Sequence, residues 1–382
     1  MKYFKTILFF LSLCFFSCAS RIPVIESPIE PPKPEEYYLT IIAAGDNLVH
    51  EPILKASYNE GVYSFDSIYA RIKGYISPAD IAMVNQETIL GNKTIGYSGY
   101  PLFSTPREAG SALVGSGFNI INHANNHIMD KGEAGIFSSI EYWDSQPAIH
   151  YLGIFRSEDE RNNSKVIINK NNISVGFLAY TSGTNGIGLP KDKSYLVAIA
   201  EKEKMSEEIN ALRPFCDFLV VSMHWGEEYR SGFTKNQENL AAFLAELKVD
   251  LVIGHHPHVL EPYAEMLRPD GKNMIIFYSL GNFLSAHFRP PLDALLGGLA
   301  YVKLKKKGGE TIAVETGLIP VITHYDVKQS FFNVYPLSEY SSELAEKHWK
   351  HSNDREMKLE YFIEKAKNLF GPSLIMDNPF RQ

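Results

Sequence analysis

Asn122-His123-Ala124-Asn125-Asn126-His127-Ile128-Met129-Asp130 is the stretch on which the reading of this chain turns. The apolar run Phe118-Asn119-Ile120-Ile121 leads into it, and Gly132 and Gly135 follow before a helix-like segment. The chain reaches the edge of a sheet, and amide, imidazole and carboxylate then arrive together. A core has little use for that density, because each buried polar group needs a partner. A metal-assisted site does have a use for it.

The pattern recurs along the chain. Tyr38 to Ala44 is a strand by composition and closes in Gly45-Asp46-Asn47, and Ile81 to Val84 ends in Asn85-Gln86-Glu87. Phe218 to Val221 leads to His224-Trp225-Gly226, and Leu251-Val252-Ile253 to Gly254-His255-His256-Pro257-His258. Ile275-Ile276-Phe277 precedes Ser279-Leu280-Gly281-Asn282-Phe283. Helical spacing occupies Ser64 to Ile76, Pro106 to Val114, Gly135 to Trp143, Lys202 to Leu212 and Gln237 to Leu247. Runs on either side of Asn171-Asn172 read as a hairpin, and alternation over Leu299 to Leu304 and Thr311 to Thr316 reads as antiparallel strands. Strands separated by helices, with a late antiparallel portion, predict an α/β fold with mixed sheets. Sites in open α/β sheets form at the carboxyl ends of strands. Asp46, Glu87, Asn126, His127, His224, His256 and His258 all follow such runs.

The chain has 382 residues, is 45% hydrophobic and carries a net charge of -7, enough for a large core and without the basic balance of a nucleic-acid binder. Lys2 and Lys5 precede a short apolar stretch that ends in Ser17-Cys18-Ala19, a layout resembling a bacterial lipoprotein signal with Cys18 as the acylated residue. An ordinary secretory signal cut near Ala19 is the alternative. The expected organisation is a lipoprotein signal peptide over 1–17, a Pro/Glu-rich tether over 18–37, one domain over 38–325 and a charged, helical C-terminal appendage over 326–382. The protein is then exported, anchored to a membrane through Cys18, and faces the periplasm or the cell exterior. Cys216 remains as a lone cysteine in an apolar run, so no disulfide framework is available.

Two carboxylates, an amide and three imidazoles, with no cysteine, suit one or two divalent ions such as Mn, Fe, Zn or Co. Glu87, with two oxygens to share, is the natural bridge between two ions. His127 is the candidate general acid, with Asp130 orienting it.

These residues carry a resemblance. Gly45-Asp46, Asn85-Gln86-Glu87, Ala124-Asn125-Asn126-His127 with Asp130 and Gly132, His224-Trp225-Gly226-Glu227-Glu228-Tyr229, Gly254-His255-His256-Pro257-His258 and Tyr278-Ser279-Leu280-Gly281-Asn282-Phe283 together resemble the CapA family. Its members are poly-γ-glutamate capsule biosynthesis proteins related to calcineurin-like metallophosphoesterases. The resemblance runs from about Tyr38 to Phe283 and implies a four-layer α/β/β/α sandwich. It implies that Asp46 binds a first ion, Glu87 bridges, Asn126 and His127 act as amide ligand and acid, and His224, His256 and His258 are ligands. The sequence departs from ordinary phosphoesterases in placing Leu48, not a histidine, two residues after Asp46; His50 is the nearest imidazole. Arg107, Glu227, Glu228, Tyr229 and Asn282 are expected to touch substrate or to support the ligands. The resulting expectation is a metal-dependent hydrolase of capsule or envelope polymer metabolism, using metal-activated water on a phosphoester or a glutamyl amide. Its substrate would be an anionic polymer or phosphoester, and a membrane polymer synthase a possible partner. The alternative is an accessory protein that binds the polymer or the synthase and holds metal structurally.

Overall fold

The computed structural model describes residues 35–287, 290–353 and 357–381. The expected signal peptide, Cys18 and most of the tether lie outside the described residues. The strands that position the site are β1 (Glu36–Asn47), β2 (Ile81–Gln86), β3 (Ile120–Asn122), β4 (His150–Leu152), β5 (Val166–Lys170), β6 (Ile173–Thr181), β7 (Phe218–His224) and β8 (Leu251–His255). They continue as β9 (Leu260–Leu267), β10 (Asn273–Leu280), β11 (Asn282–Leu284), β12 (Leu296–Lys307), β13 (Glu310–Tyr325) and β14 (Phe332–Pro336). The helices used below are α1 (Arg107–Ser116), α2 (Gly132–Asp144), α3 (Lys202–Leu212), α4 (Lys235–Glu246) and α5 (Leu359–Phe370).

One sheet has the order β14-β13-β12-β1-β2-β3-β4, with β11 paired beside the end of β1; the other has the order β9-β10-β8-β7-β6-β5. β1 to β4 run parallel, as do β6, β7, β8 and β10, while β12 to β14 add antiparallel strands. Parallel strands covered on both faces read as near-continuous apolar runs, and β7 is buried along its whole length. Its two faces separate by parity. Phe218 and Val220 join the core shared with the first sheet, whereas Leu219, Val221 and Met223 pack with Met205, Ile209 and Leu212 of α3 and Leu240 and Leu244 of α4. Ala109 and Leu113 of α1 and Trp143 of α2 cover the first sheet. The layers are therefore α/β/β/α, as expected.

The hairpin forms as read: β5 and β6 pair antiparallel, with Asn171 and Asn172 both at positive φ, the conformation a tight two-residue turn demands. Ser64 to Ile76 differs from its reading as one helix, forming two four-residue helices, Asp66–Tyr69 and Lys73–Ile76. The C-terminal expectation is corrected more substantially. Residues beyond 325 are integral to the fold: β14 pairs with β13, and Phe362, Ala366 and Phe370 of α5 enter the main core. Their i, i+4, i+8 spacing places one apolar stripe along the helix, flanked by the partly buried Leu359, Ile363 and Leu369, while Glu360, Glu364, Lys365 and Lys367 supply its charge. β1 likewise begins at Glu36, inside the expected tether. Among the described residues no helix is long and apolar enough to cross a membrane, and Cys216 is buried and free.

Candidate metal centre

The parallel strands of both sheets deliver polar residues to one place. Asp46 and Asn85 stand one residue before the ends of β1 and β2, Asn122, His224 and His255 end β3, β7 and β8, and all five side chains are buried. β1 reaches its position because Gly45 lacks a side chain: a Cβ there would lie 2.0 Å from the Gly281 carbonyl oxygen. The neighbouring Asp46 N–H donates to that oxygen at 2.9 Å.

A chain of amides holds the ligating groups. Asn122 Nδ2 donates to Asn85 Oδ1 at 2.9 Å, and Asn85 Nδ2 donates to Asp46 Oδ1 at 2.7 Å. Asn125 Nδ2 donates to the Gln86 carbonyl at 3.0 Å and its Oδ1 accepts the His127 N–H at 3.1 Å. His224 Nε2 lies 2.9 Å from Asn126 Oδ1, so these two candidate ligand atoms face the same spot, and its Nδ1 faces Asn85 Nδ2 at 3.4 Å. His256 and His258 both adopt positive φ, which folds the His-Pro-His turn back onto Asp46. The His256 N–H donates to Asp46 Oδ2 at 3.2 Å and His258 Nδ1 does so at 3.1 Å. Asn282 Nδ2 donates to the carbonyl oxygen of His258 at 3.1 Å and so braces the turn.

Glu87 sits between two donor groups, one with His224 and His256 and one with Asp46 and His258; within each, the ligand atoms lie within 4.8 Å of one another. Glu87 Oε1 is 3.6 Å from His224 Nε2 and 3.7 Å from His258 Nε2. Both its oxygens are buried without a hydrogen-bond partner, as is His256 Nδ1. Orphaned carboxylate oxygens are costly in a protein interior, and a shared cation relieves that cost. The residues present therefore fit one or two divalent ions. The electrostatics agree: burial, and then the Asp46 charge, push Glu87 well above the ordinary carboxylate range. Burial opposes ionisation of Asp46 too, but the imidazole of His255, 3.5 Å away, and the hydrogen-bonded His258 hold it well below that range. Burial also works against the charge on His258, yet Glu87 and then Asp46 raise it to about 9. His224 is held well below the usual imidazole value by burial and then by His256; burial and then His258 bring His256 to about 4.

Beside this group, His127 Nδ1 faces Asp130 Oδ2 at 2.9 Å, and the Phe103 N–H donates to the same oxygen at 2.7 Å. The Phe103 ring meets His127 edge-on, with centroids 4.7 Å apart. Asn185, from the loop after β6, accepts from Asn126 Nδ2 at 3.1 Å and lies 3.5 Å from the His127 ring nitrogens.

Other expected residues scatter. Arg107 turns away to Glu141 and the Ser138 carbonyl, on α2. Glu227 is exposed and paired with Arg230 at 3.1 Å. Glu228 is exposed on the same loop, its charge felt by Glu87 and His258. Tyr229 stands at the mouth, its ring centroid 6.1 Å from that of His258. His50 is buried with Nδ1 against the Leu48 carbonyl at 3.1 Å and the Ala286 N–H at 3.2 Å, outside both donor groups. Asn85, Asn185, His255 and His287 also border the site. Asn85 and His255 were legible as polar residues at strand ends; Asn185 and His287 follow no such signal.

The family model described as bacterial capsule synthesis protein PGA_cap matches residues 40–287. The PGA biosynthesis protein CapA of Bacillus subtilis (strain 168) is 26% identical over 260 residues, 67% of this chain and 66% of that protein. The capsule biosynthesis protein CapA of Bacillus anthracis is 29% identical over 263 residues, 65% of this chain and 60% of that protein. The matches thus span slightly less than two thirds of those relatives' lengths. Among solved structures, the calcineurin-like phosphoesterase YfkN of Bacillus subtilis is similar at 15% identity with a TM-score of 0.44, covering 86% of this chain and 100% of that one. With more than half of its residues matched by the family model, the chain belongs to the bacterial capsule synthesis protein family PGA_cap.

Proposed function

We propose that this protein is a metal-dependent hydrolase of capsule or envelope polymer metabolism. The carrying observation is Glu87: a buried carboxylate, both oxygens unpartnered, shared by two donor groups. Asp46, Glu87 and His258 would hold one ion, and Glu87, His224 and His256 a second, with the Asn126 amide oxygen beside it. Divalent ions bound there supply an activated water at neutral pH and stabilise charge on the attacking and leaving oxygens. Asp130 fixes the His127 ring through Nδ1, so Nε2 is the nitrogen that hands a proton to the leaving group. The buried Phe103 ring packs perpendicular to that imidazole and limits water around it.

The substrate is a phosphoester or a glutamyl amide of an anionic polymer, in keeping with the names of the Bacillus relatives. Lys305, Lys306 and Lys307 do not supply attraction for a polyanion, since they pair with Glu36 and Asp217. Attraction then falls to the ions. The protein is exported and tethered through lipid on Cys18, where a membrane polymer synthase is its natural partner. Metabolic labelling with palmitate should mark the mature protein, and a mature form without lipid contradicts the anchor.

Leu48 favours a second reading. It leaves the Asp46 group with three donors, a site suited to an accessory protein that holds metal structurally and binds polymer or synthase. Purified protein loaded with Mn or Zn separates the two on an aryl phosphodiester, an aryl phosphomonoester and poly-γ-glutamate. The hydrolase reading expects turnover of one of them, lost in His127→Ala with metal retained and lost in His224→Ala with metal reduced. Reduced metal in His224→Ala with turnover in neither form supports the accessory reading. Turnover that survives both substitutions removes the site.

A further inference from the structure

His287 is the last residue of the matched region and packs beside the site. Its ring centroid is 4.8 Å from that of His258 and 4.4 Å from that of His50. The Tyr229 hydroxyl lies 3.2 Å from His287 Nδ1. Tyr229 is held there at some cost: its φ is +64°, a left-handed conformation unusual for an aromatic residue. Its N–H donates to the Pro257 carbonyl at 2.7 Å, tying it to the turn that carries His256 and His258. A phenol hydroxyl is a better donor than acceptor, so Tyr229 O–H donates to Nδ1 and the proton of the imidazole resides on Nε2. That nitrogen is buried and has no hydrogen-bond partner. A buried N–H without an acceptor costs free energy unless something else in the cleft accepts it.

We propose that His287, set by Tyr229, is a substrate-anchoring residue whose Nε2–H binds an anionic oxygen of the ligand beside the metal-ligand cluster. The inference rests on the metal reading above and adds a recognition element to it. A phosphoryl and a carboxylate oxygen share this chemistry, since both accept strong charge-assisted hydrogen bonds. The flanking imidazole of His50 and the ring of Tyr229 confine the position that oxygen occupies. Tyr229 is a positioning residue: it selects which nitrogen carries the proton.

Calorimetry on manganese-loaded full-length protein tests this, with inorganic phosphate and a γ-glutamylglutamate dipeptide as separate probes. Wild type is expected to bind at least one probe. His287→Ala should weaken that probe roughly tenfold while retaining manganese and its melting transition. His287→Gln, which keeps an N–H donor, should recover most of the affinity, and Tyr229→Phe should lose less than His287→Ala. The probe that weakens identifies the source of the oxygen. Unchanged affinity for both probes in His287→Ala overturns the proposal, as does binding of neither probe by wild type. Loss of manganese in His287→Ala also overturns it, by making the residue a metal ligand. Wild type that takes up no manganese overturns the metal reading and this proposal with it, a result distinct from the others.

Discussion

Asp130 shows how one side chain can serve chemistry and structure together. Its Oδ2 takes both the Phe103 N–H and His127 Nδ1, so the loop that shields the imidazole and the imidazole itself share an anchor. Asp130→Asn is expected to lower kcat by about ten- to a hundredfold with metal content unchanged, measured by turnover beside elemental analysis; an unchanged kcat removes the positioning role. Glu261 is a second informative residue, buried outside the metal groups with Gln237 Nε2 donating to Oε2 at 2.6 Å and Oε1 unpartnered. Burial raises its carboxyl from 4.5 to about 7, although the Gln237 hydrogen bond opposes this. Between those values the folded state binds the extra proton, so stability falls as pH climbs from about 4.5 to about 7 and levels off beyond. Glu261→Gln should therefore stabilise the protein more at pH 8 than at pH 5, by about 2–3 kcal/mol at most. Thermal melts at the two pH values check it. Residue by residue, Asp46, Glu87, Asn126, His224 and the His256/His258 turn were legible because each polar group interrupts a buried run. Arg107 and Glu227 are charged as well but satisfy their charges locally, on Glu141 and Arg230, a pairing that composition does not reveal.

At the scale of elements, the site depends on how closely two strand ends approach. β1 passes within contact of the turn at Gly281, and the parallel order of β6, β7, β8 and β10 puts His224 and His255 in register as neighbours. Gly45→Ala would set a methyl group against the Gly281 carbonyl oxygen at a separation that real side chains do not adopt. It is expected to cost about 1–3 kcal/mol and to weaken metal uptake, because Asp46 moves with β1. Denaturant melts and metal titration measure both; an unperturbed variant means the approach is looser than described. Strands were the most legible elements, since β7, β8 and β10 are short apolar runs with covered faces. Ser64 to Ile76 was less so: helical spacing persists across its residues, but a turn over residues 70–72 splits them into two short helices.

For the molecule as a whole, two sheets and their outer helices bring five strand ends from two halves of the chain to one cluster. The segment after Tyr325 belongs to that assembly. Its charge suggested an appendage, yet Phe332, Val334, Phe362 and Phe370 are all core. Removing residues 326–382 should expose the edge of β13 and a broad apolar face, giving insoluble protein or a loss of cooperative melting; a soluble, cooperatively folded truncation contradicts that assignment. The α/β/β/α order was legible because apolar runs of strand length alternate with helical spacing, whereas the docking of α5 depends on a surface formed only after both sheets have packed. The most direct measurement for the whole account is the number of manganese ions retained per chain in wild type and Glu87→Gln, by elemental analysis after saturation and dialysis. More than one ion in wild type, falling to one or none in a still-folded Glu87→Gln, is the expected result; no ion in wild type, or equal content in the two proteins, contradicts it.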